Sequence, residues 1–356
     1  KGAEASLCPL PFLESRRQTV IFAENRNRRS MWRKTAIIAM AAAACMACGR
    51  RTALKAGTPS SLPAGECAAT AKLSVPYPEI PTYLNGEEEE AGYVLMHFWD
   101  GVDFSDESWT EAAETMEEAF ARFITVASLY PDMELSKQAV ARLMQRLGEE
   151  AVPDVYDLMT GLADKYLYDP NSPLRNEELY ITVLEEQIAD PDLEDIYKVA
   201  PRERLRMALK NRPGDRAADF SFTTGKGGHG TLYGIDADYV LLFFHNLGCP
   251  ACREVRQGIV SVTAREPAAG MLASGKLRII ALYPDTDMAE WVAHANEIPD
   301  TWINACDKAQ EINEKELYDL RAIPSLYLLD RDKKVILKDF VNPEMLSDAL
   351  TYSEAD

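Results

Sequence analysis

The clearest potential for chemistry lies in two cysteines that are separated by two residues. Cys249 and Cys252 occur in the segment FFHNLGCPACREV, directly after an apolar run. Such a pair can form a structural disulfide, supply half of a zinc site, or cycle as a redox dithiol. The neighbouring residues and the rest of the chain have to distinguish these three chemistries.

Two of the three chemistries fit poorly. A disulfide across so short a loop removes little chain entropy, so it adds little stability. A tetrahedral zinc site needs two further ligands, and the sequence has no HxxxH and, beyond the apolar N-terminal segment 36–48, no second CxxC. Other candidate ligands are scattered along the chain, among them His229, His245, His294 and Cys306. We therefore expect no metal, and no cofactor beyond the dithiol itself.

The elements around the pair favour redox chemistry. Residues 239–244 (YVLLFF) are uninterruptedly apolar, as in a strand buried on both faces, and residues 250–265 predict a helix. Free N–H groups and a partial positive charge at a helix N-terminus favour a thiolate at Cys249. Pro250 suits the first helical turn. We predict that Cys249 attacks and that Cys252, nearly one turn later, resolves.

The remaining sequence predicts two domains. From about residue 92 to 211, apolar residues recur at helical spacing, for example Met116, Phe120 and Phe123, which predicts an all-α domain of about five helices over 76–211. Strand and helix patterns alternate over 212–356, with a helix expected over 311–320 and a hairpin around 331–334. That alternation predicts an α/β domain with helices layered on a sheet.

A strand, a CxxC, a helix and a later Ile-Pro before a strand together resemble the thioredoxin superfamily. The matching segments are LLFFHNLGCPAC and RAIPSLYLLDRDKKVILKDF. The long segment between them and the strands before residue 239 are similar to the TlpA/ResA-like envelope branch. The resemblance implies a central mixed sheet flanked by helices, a cis-proline at Pro324, and a substrate groove shaped by Ile323, Pro324 and Pro250. Residues 92–211 look similar to a helical domain of unknown function that precedes such domains in envelope lipoproteins.

The chain departs from the thioredoxin pattern in two positions that matter for the chemistry. The buried acid that serves proton transfer in that family is replaced by Phe243, and the Trp before the first cysteine is replaced by Gly248. The proton must therefore take another path, for which Glu254, His245 and Asp285 are candidates.

The N-terminal residues predict export. Met31-Trp32-Arg33-Lys34 is followed by 13 largely apolar residues, 36–48, too short to span a bilayer and typical of a signal peptide. The end of this run resembles a bacterial lipobox, in which Cys48 fits the lipidation site best and Cys45 less well. An ordinary cleavable signal peptide is the alternative, because the lipobox usually has Leu where Cys45 stands. We expect residues 1–30 to be upstream, non-native sequence, with a disordered tail as the alternative, and 49–75 to be a flexible linker.

Charge and export together define the expected partners. The formal net charge of −19 repels phosphate backbones, so nucleic acid is excluded as a partner. We expect an exported, lipid-anchored thiol–disulfide oxidoreductase that exchanges disulfides with cell-envelope proteins, facing the periplasm or held at the outer membrane. The alternative is a binding or scaffold lipoprotein whose helical domain recognises a partner while the redox domain is weak.

Overall fold

The structure, a computed structural model, describes residues 73–353. The chain divides into two compact units at the peptide bond between Glu203 and Arg204. The predicted signal segment, Cys48 and most of the predicted linker lie outside the described residues.

The unit before the sheet is helical, which confirms the predicted class. Its apolar stripes are buried, including Met116, Phe120 and Phe123, and Asp132 caps one helix by accepting the N–H groups of Glu134 and Leu135. The helices up to residue 208, seven where about five were predicted, are α1 (Glu87–His97), α2 (Ser108–Glu111), α3 (Ala113–Leu129), α4 (Met133–Glu150), α5 (Pro153–Ala163, continued by a π-helical turn, Asp164–Tyr168), α6 (Glu177–Ala189) and α7 (Val199–Ala208). None of the helices between residues 73 and 353 has the length and apolar character needed to cross a membrane.

The C-terminal unit is built on a mixed sheet of seven strands. The strands are β1 (Ser221–Thr224), β2 (His229–Thr231), β3 (Tyr239–Phe244), β4 (Leu277–Tyr283), β5 (Ile303–Cys306), β6 (Ser325–Leu329) and β7 (Val335–Phe340). Their order in the sheet is β2-β1-β5-β4-β3-β6-β7. Strand β3 lies near the middle, parallel to β4 and antiparallel to β6, and β1 and β2 form a hairpin. A mixed sheet flanked by helices is the fold class that the sequence predicts.

Strand β3 supplies side chains to apolar layers on both faces of the sheet. Leu241 and Phe243 belong to one layer, and Val240, Leu242 and Phe244 to the other. Each of these five side chains is at most 1% exposed. The uninterrupted apolar run of β3 is therefore explained by burial on both sides.

Helices cover the sheet and form most of the connections between its strands. They are α8 (Pro250–Thr263), α9 (Ala268–Ser274), α10 (Met288–Ala293), a 3₁₀ turn (Ala295–Glu297), α11 (Glu311–Glu314) and α12 (Glu344–Ser353).

The helix predicted over 311–320 is wrong beyond its first turn. The backbone of Glu316 takes a left-handed conformation with φ of 48°, which ends the helix after Glu314. Tyr318 then enters the core, where its hydroxyl donates to the carbonyl of Ala218 at 2.7 Å. Core burial of one aromatic side chain thus outweighs the helical pattern of this segment.

A buried polar pair ties the start of β6 to β7. The hydroxyl of Ser325, which is fully buried, donates to Oδ1 of Asp339 at 2.7 Å. Asp339 itself is 7% exposed and takes a positive φ of 46°, next to a register shift between β6 and β7. The pair fixes the residue that directly follows Pro324.

Replacing Ser325 by alanine is expected to lower the free energy of unfolding by about 1–3 kcal/mol, because a buried carboxylate loses a hydrogen-bond donor. Urea unfolding of the full chain measures the change. The matched control is Thr351→Ala, which removes an exposed hydroxyl bonded to the carbonyl of Ser347. Equal effects of the two substitutions would contradict the role of the buried pair.

Candidate active site

The dithiol lies where β3 ends and α8 begins, as the sequence predicts. The backbone turns at Gly248, whose φ of +67° strains any residue with a side chain. Cys249 is the N-cap residue of α8, with extended φ and ψ of −75° and 120°, and Pro250 occupies the exposed first turn. Glycine adopts this left-handed backbone without strain, whereas the Trp of the thioredoxin pattern would be strained here.

Two backbone N–H groups are directed at the two sulfur atoms, which are free thiols. The N–H of Cys252 donates to Sγ of Cys249 at 3.3 Å, and the N–H of Asn246 donates to Sγ of Cys252 at 3.4 Å. N–H groups at a helix N-terminus stabilise a negative charge on the atom they contact. The N–H of Asn246 lowers the pKa of Cys252, and the N–H of Cys252 holds the sulfur of Cys249 at the start of α8.

The two cysteines differ in their access to solvent. Cys249 is half-buried, whereas Cys252 is 4% exposed and packs in the same apolar layer as Phe243. Burial, and next the hydrogen bond with Cys249, raise the pKa of Cys252 to about 12, against the opposing effects of the Asn246 N–H and of Arg256. The geometry leaves Cys249 as the sulfur that an external disulfide can reach.

The Ile323–Pro324 bond is cis, and it lies at the same end of the sheet as the dithiol. Phe244 at the end of β3 is paired with Ser325 at the start of β6, so the loop after β3 and the loop before β6 are neighbours. Cys249 and Ile323 pack against the same apolar layer. Of the residues predicted from the sequence, the structure therefore brings together Cys249, Cys252 and Ile323, with Pro324 beside them and Pro250 on the exposed rim.

Aromatic rings occupy the position where the thioredoxin pattern has an acid. Phe243 stacks on the imidazole of His245 with ring centroids 5.1 Å apart, and meets Trp302 edge-on at 6.4 Å. Trp302 and Phe243 are 7% and 1% exposed. The wall behind Cys252 is therefore apolar.

The three candidates for proton transfer differ in burial. Glu254 and Asp285 are exposed, whereas His245 is 3% exposed. The Nε2 atom of His245 has no hydrogen-bond partner among residues 73–353. Burial, reinforced by the charge of Arg256, lowers the pKa of His245 to about 4, so its imidazole is neutral at physiological pH.

Arg256 is a charged neighbour of the dithiol that the sequence-based reasoning missed. It lies four residues after Cys252 on α8, and its side chain is only 17% exposed. The i, i+4 spacing from Cys252 is visible in the sequence, but the ion pair that holds the guanidinium comes from Glu297, 41 residues away.

Other residues noted in the sequence lie in ordinary structural settings. Cys306 ends β5, is fully buried and packs with Tyr283 and Trp291, as expected for a small apolar residue. His294 lies between Glu290 and Glu297, whose carboxylates raise its pKa.

Comparisons with known proteins find a family model for the N-terminal part of the chain and solved structures similar to the chain. Residues 47–211 match the model of a domain of unknown function, DUF5106. A thioredoxin-like protein from Bacteroides caccae ATCC 43185 is 39% identical, with a TM-score of 0.74, over 79% of this chain and 99% of that one. No curated protein sequence matches the chain.

Two further solved structures match the C-terminal part. The C-terminal domain of an uncharacterized protein from Bacteroides fragilis NCTC 9343 is 43% identical over 40% of this chain and 99% of that one, with a TM-score of 0.38. A domain of a possible thiol-disulfide isomerase from Cytophaga hutchinsonii ATCC 33406 is 24% identical over 41% and 96%, with a TM-score of 0.34. With the Bacteroides caccae structure matched over nearly its whole length, this chain belongs to the thioredoxin-like proteins and carries a domain of unknown function ahead of its thioredoxin-like domain.

Proposed function

We propose that this protein is a thiol–disulfide oxidoreductase that exchanges disulfides with other proteins through Cys249 and Cys252. The observation that carries the proposal is the setting of Cys249. Its sulfur is half-buried, caps α8 and accepts the N–H of Cys252 at 3.3 Å. A sulfur that is reachable and held at a helix N-terminus is suited to nucleophilic attack.

The exchange proceeds in two displacements. The Cys249 thiolate attacks one sulfur of a substrate disulfide, so that a mixed disulfide forms, the substrate S–S bond breaks, and the departing thiolate takes up a proton from water. Cys252 then loses its proton to solvent and attacks Sγ of Cys249. The intramolecular disulfide forms, and the second substrate thiolate leaves and is protonated.

One round oxidises the dithiol by two electrons and reduces the substrate disulfide to two thiols. The reverse sequence oxidises a substrate dithiol, and the reduction potentials of the partners set the direction. The loop that holds Ile323 and Pro324 lies beside Cys249, where it can align an extended substrate segment.

The Cys252→Ser variant is expected to accumulate mixed disulfides through Cys249, because the second displacement has no nucleophile. The full chain is expressed in a Gram-negative host, thiols are blocked after acid quenching, and captured proteins are identified on non-reducing gels. Captured proteins should be absent from the Cys249→Ser/Cys252→Ser double variant, and purified wild-type protein should reduce a model protein disulfide.

Cys306→Ala is the matched control, because it removes a fully buried thiol outside the dithiol. It should leave exchange unchanged. If wild-type protein reduces no model disulfide and the trap captures nothing, the enzymatic function is wrong, and a scaffold protein whose helical domain binds partners becomes the better hypothesis.

The reactivity of Cys252 is expected to rise with pH throughout the neutral range. Its pKa is raised by burial, so the thiol is protonated at neutral pH and the thiolate fraction grows roughly tenfold per pH unit. The measurement is the rate of Cys252 alkylation by iodoacetamide in the Cys249→Ser full chain, followed by peptide mass spectrometry. A rate that levels off near neutral pH would contradict the raised pKa.

We also propose that the protein works in the cell envelope and is held to a membrane by a lipid on Cys48. The signal-like residues 31–48 support this, together with the small residue Ala47 before Cys48 and the polar residues after it. Substituting Cys48 by serine should move the chain from the membrane fraction to the soluble fraction and abolish labelling with fatty acid. Cys45→Ser is the matched control, and equal loss in both variants would show that the assignment to Cys48 is wrong.

A further inference from the structure

The second displacement requires a negative charge on a sulfur inside an apolar layer. Cys252 is 4% exposed, and Phe243 stands where the thioredoxin pattern has its acid. The N–H of Asn246 donates to this sulfur, and a nearby positive charge would stabilise further the thiolate that forms before attack. We propose that Arg256 carries this charge, as a positioning residue that stabilises the Cys252 thiolate and is itself held in place by Glu297 and His294. The inference rests on the exchange function proposed above.

The helix places Arg256 beside the resolving cysteine. Residues four apart on an α-helix lie on the same face, with their Cβ atoms about 5–6 Å apart. Cys252 and Arg256 have this spacing on α8, and both side chains are largely buried, Cys252 at 4% and Arg256 at 17% exposed. The charge of Arg256 acts on Cys252 across this spacing, and a positive charge partly shielded from water favours a thiolate over a thiol.

An ion-pair chain keeps the guanidinium in this position. Nη1 of Arg256 donates to Oε2 of Glu297 at 2.9 Å, and the other oxygen of Glu297 pairs with Nδ1 of His294 at 2.5 Å. Nε2 of His294 pairs with Glu290 at 2.9 Å. Glu297 belongs to the 3₁₀ turn and His294 directly precedes it, so the chain of pairs links α8 to the segment that leads to Trp302.

His245 is the competing candidate, and its chemistry argues against it. It is buried and has an unpartnered Nε2 atom, which would suit a proton acceptor. However, a base with a pKa near 4 cannot take a useful share of a proton from a thiol whose pKa is near 12. Burial is the main cause that keeps the imidazole of His245 neutral, and the charge of Arg256 adds to it while also lowering the pKa of Cys252.

The groups that act on Cys252 come from two directions. Arg256 on its own helix and Cys249 at the N-cap both shift the pKa of Cys252, Arg256 downward and Cys249 upward. The N–H of Asn246, in the loop after β3, lowers it. Glu297 and Arg256 act on His245. Within residues 73–353, Arg256 is the cation that lowers the pKa of Cys252, so a series of charges at residue 256 tests its contribution.

The test compares the pH-dependent alkylation of Cys252 across a charge series in the Cys249→Ser full chain. With iodoacetamide as the probe and peptide mass spectrometry as the readout, Arg256→Met should slow alkylation of Cys252 about tenfold at a given pH, because one nearby positive charge is lost. Arg256→Lys should restore most of the rate, and Arg256→Glu should be slower than Arg256→Met. Arg253→Met, which removes an exposed cation next to Cys252 on the same helix, is the matched control and should have no effect.

A purely structural role for Arg256 would give alkylation rates of Cys252 that do not follow the charge at residue 256. If Lys fails to restore the rate, if the order does not follow charge, or if Arg253→Met matches Arg256→Met, the inference is overturned. Should Arg256→Met not fold, the comparison of Arg256→Lys with Arg256→Gln decides by the same criterion.

Disulfide exchange by variants that retain both cysteines distinguishes the proposed role of Arg256 from the proposed function of the protein. Arg256→Met should raise the amount of Cys249–glutathione mixed disulfide found after acid quenching, because resolution is slowed while the first attack is not. If wild-type protein exchanges disulfides but alkylation ignores the charge at residue 256, only the role of Arg256 falls. If the alkylation rate of Cys252 follows the charge at residue 256 but wild-type protein exchanges no disulfides, the proposed function is wrong. The stabilisation of the Cys252 thiolate by Arg256 would still hold.

Discussion

The hydrogen bond from the N–H of Cys252 to the sulfur of Cys249 is the interaction on which the site depends. It exists because α8 begins at Pro250 and leaves its first N–H groups without partners inside the helix. Strand β3 delivers the chain to this point from the centre of the sheet, and its burial on both faces fixes the direction in which the helix starts. Movement of either element would take the sulfur away from the N–H group.

The same geometry gives the two sulfurs different environments. Cys249 lies at the rim, beside the loop that contains Ile323 and Pro324, and Cys252 lies against the apolar layer below. The aromatic contacts of Phe243 with His245 and Trp302 occupy the part of that layer where the thioredoxin pattern has a carboxylate. A single cation at the edge of the layer can compensate, because electrostatic interactions are strong where water is partly excluded.

Much of this arrangement could be predicted from the sequence, because it follows from local patterns. The apolar run of β3, proline in the first turn of α8 and the Ile-Pro pair before β6 are all short-range signals. Sequence patterns did not predict the features that depend on tertiary contacts. Residues 311–320 have helical spacing, yet burial of Tyr318 ends the helix after one turn. Arg256 looks like a surface residue of an amphipathic helix until Glu297 is placed beside it.

Gly248 also limits how the motif can be engineered. Its left-handed backbone strains every residue with a side chain, so introducing the tryptophan of the thioredoxin pattern here would cost about 1–2 kcal/mol. Relief of that strain would require a new path for the loop from Asn246 to Cys249, and the N–H of Asn246 that contacts the sulfur of Cys252 belongs to this loop. A thioredoxin motif transplanted into this backbone would therefore need changes in the loop as well as in the residues between the cysteines.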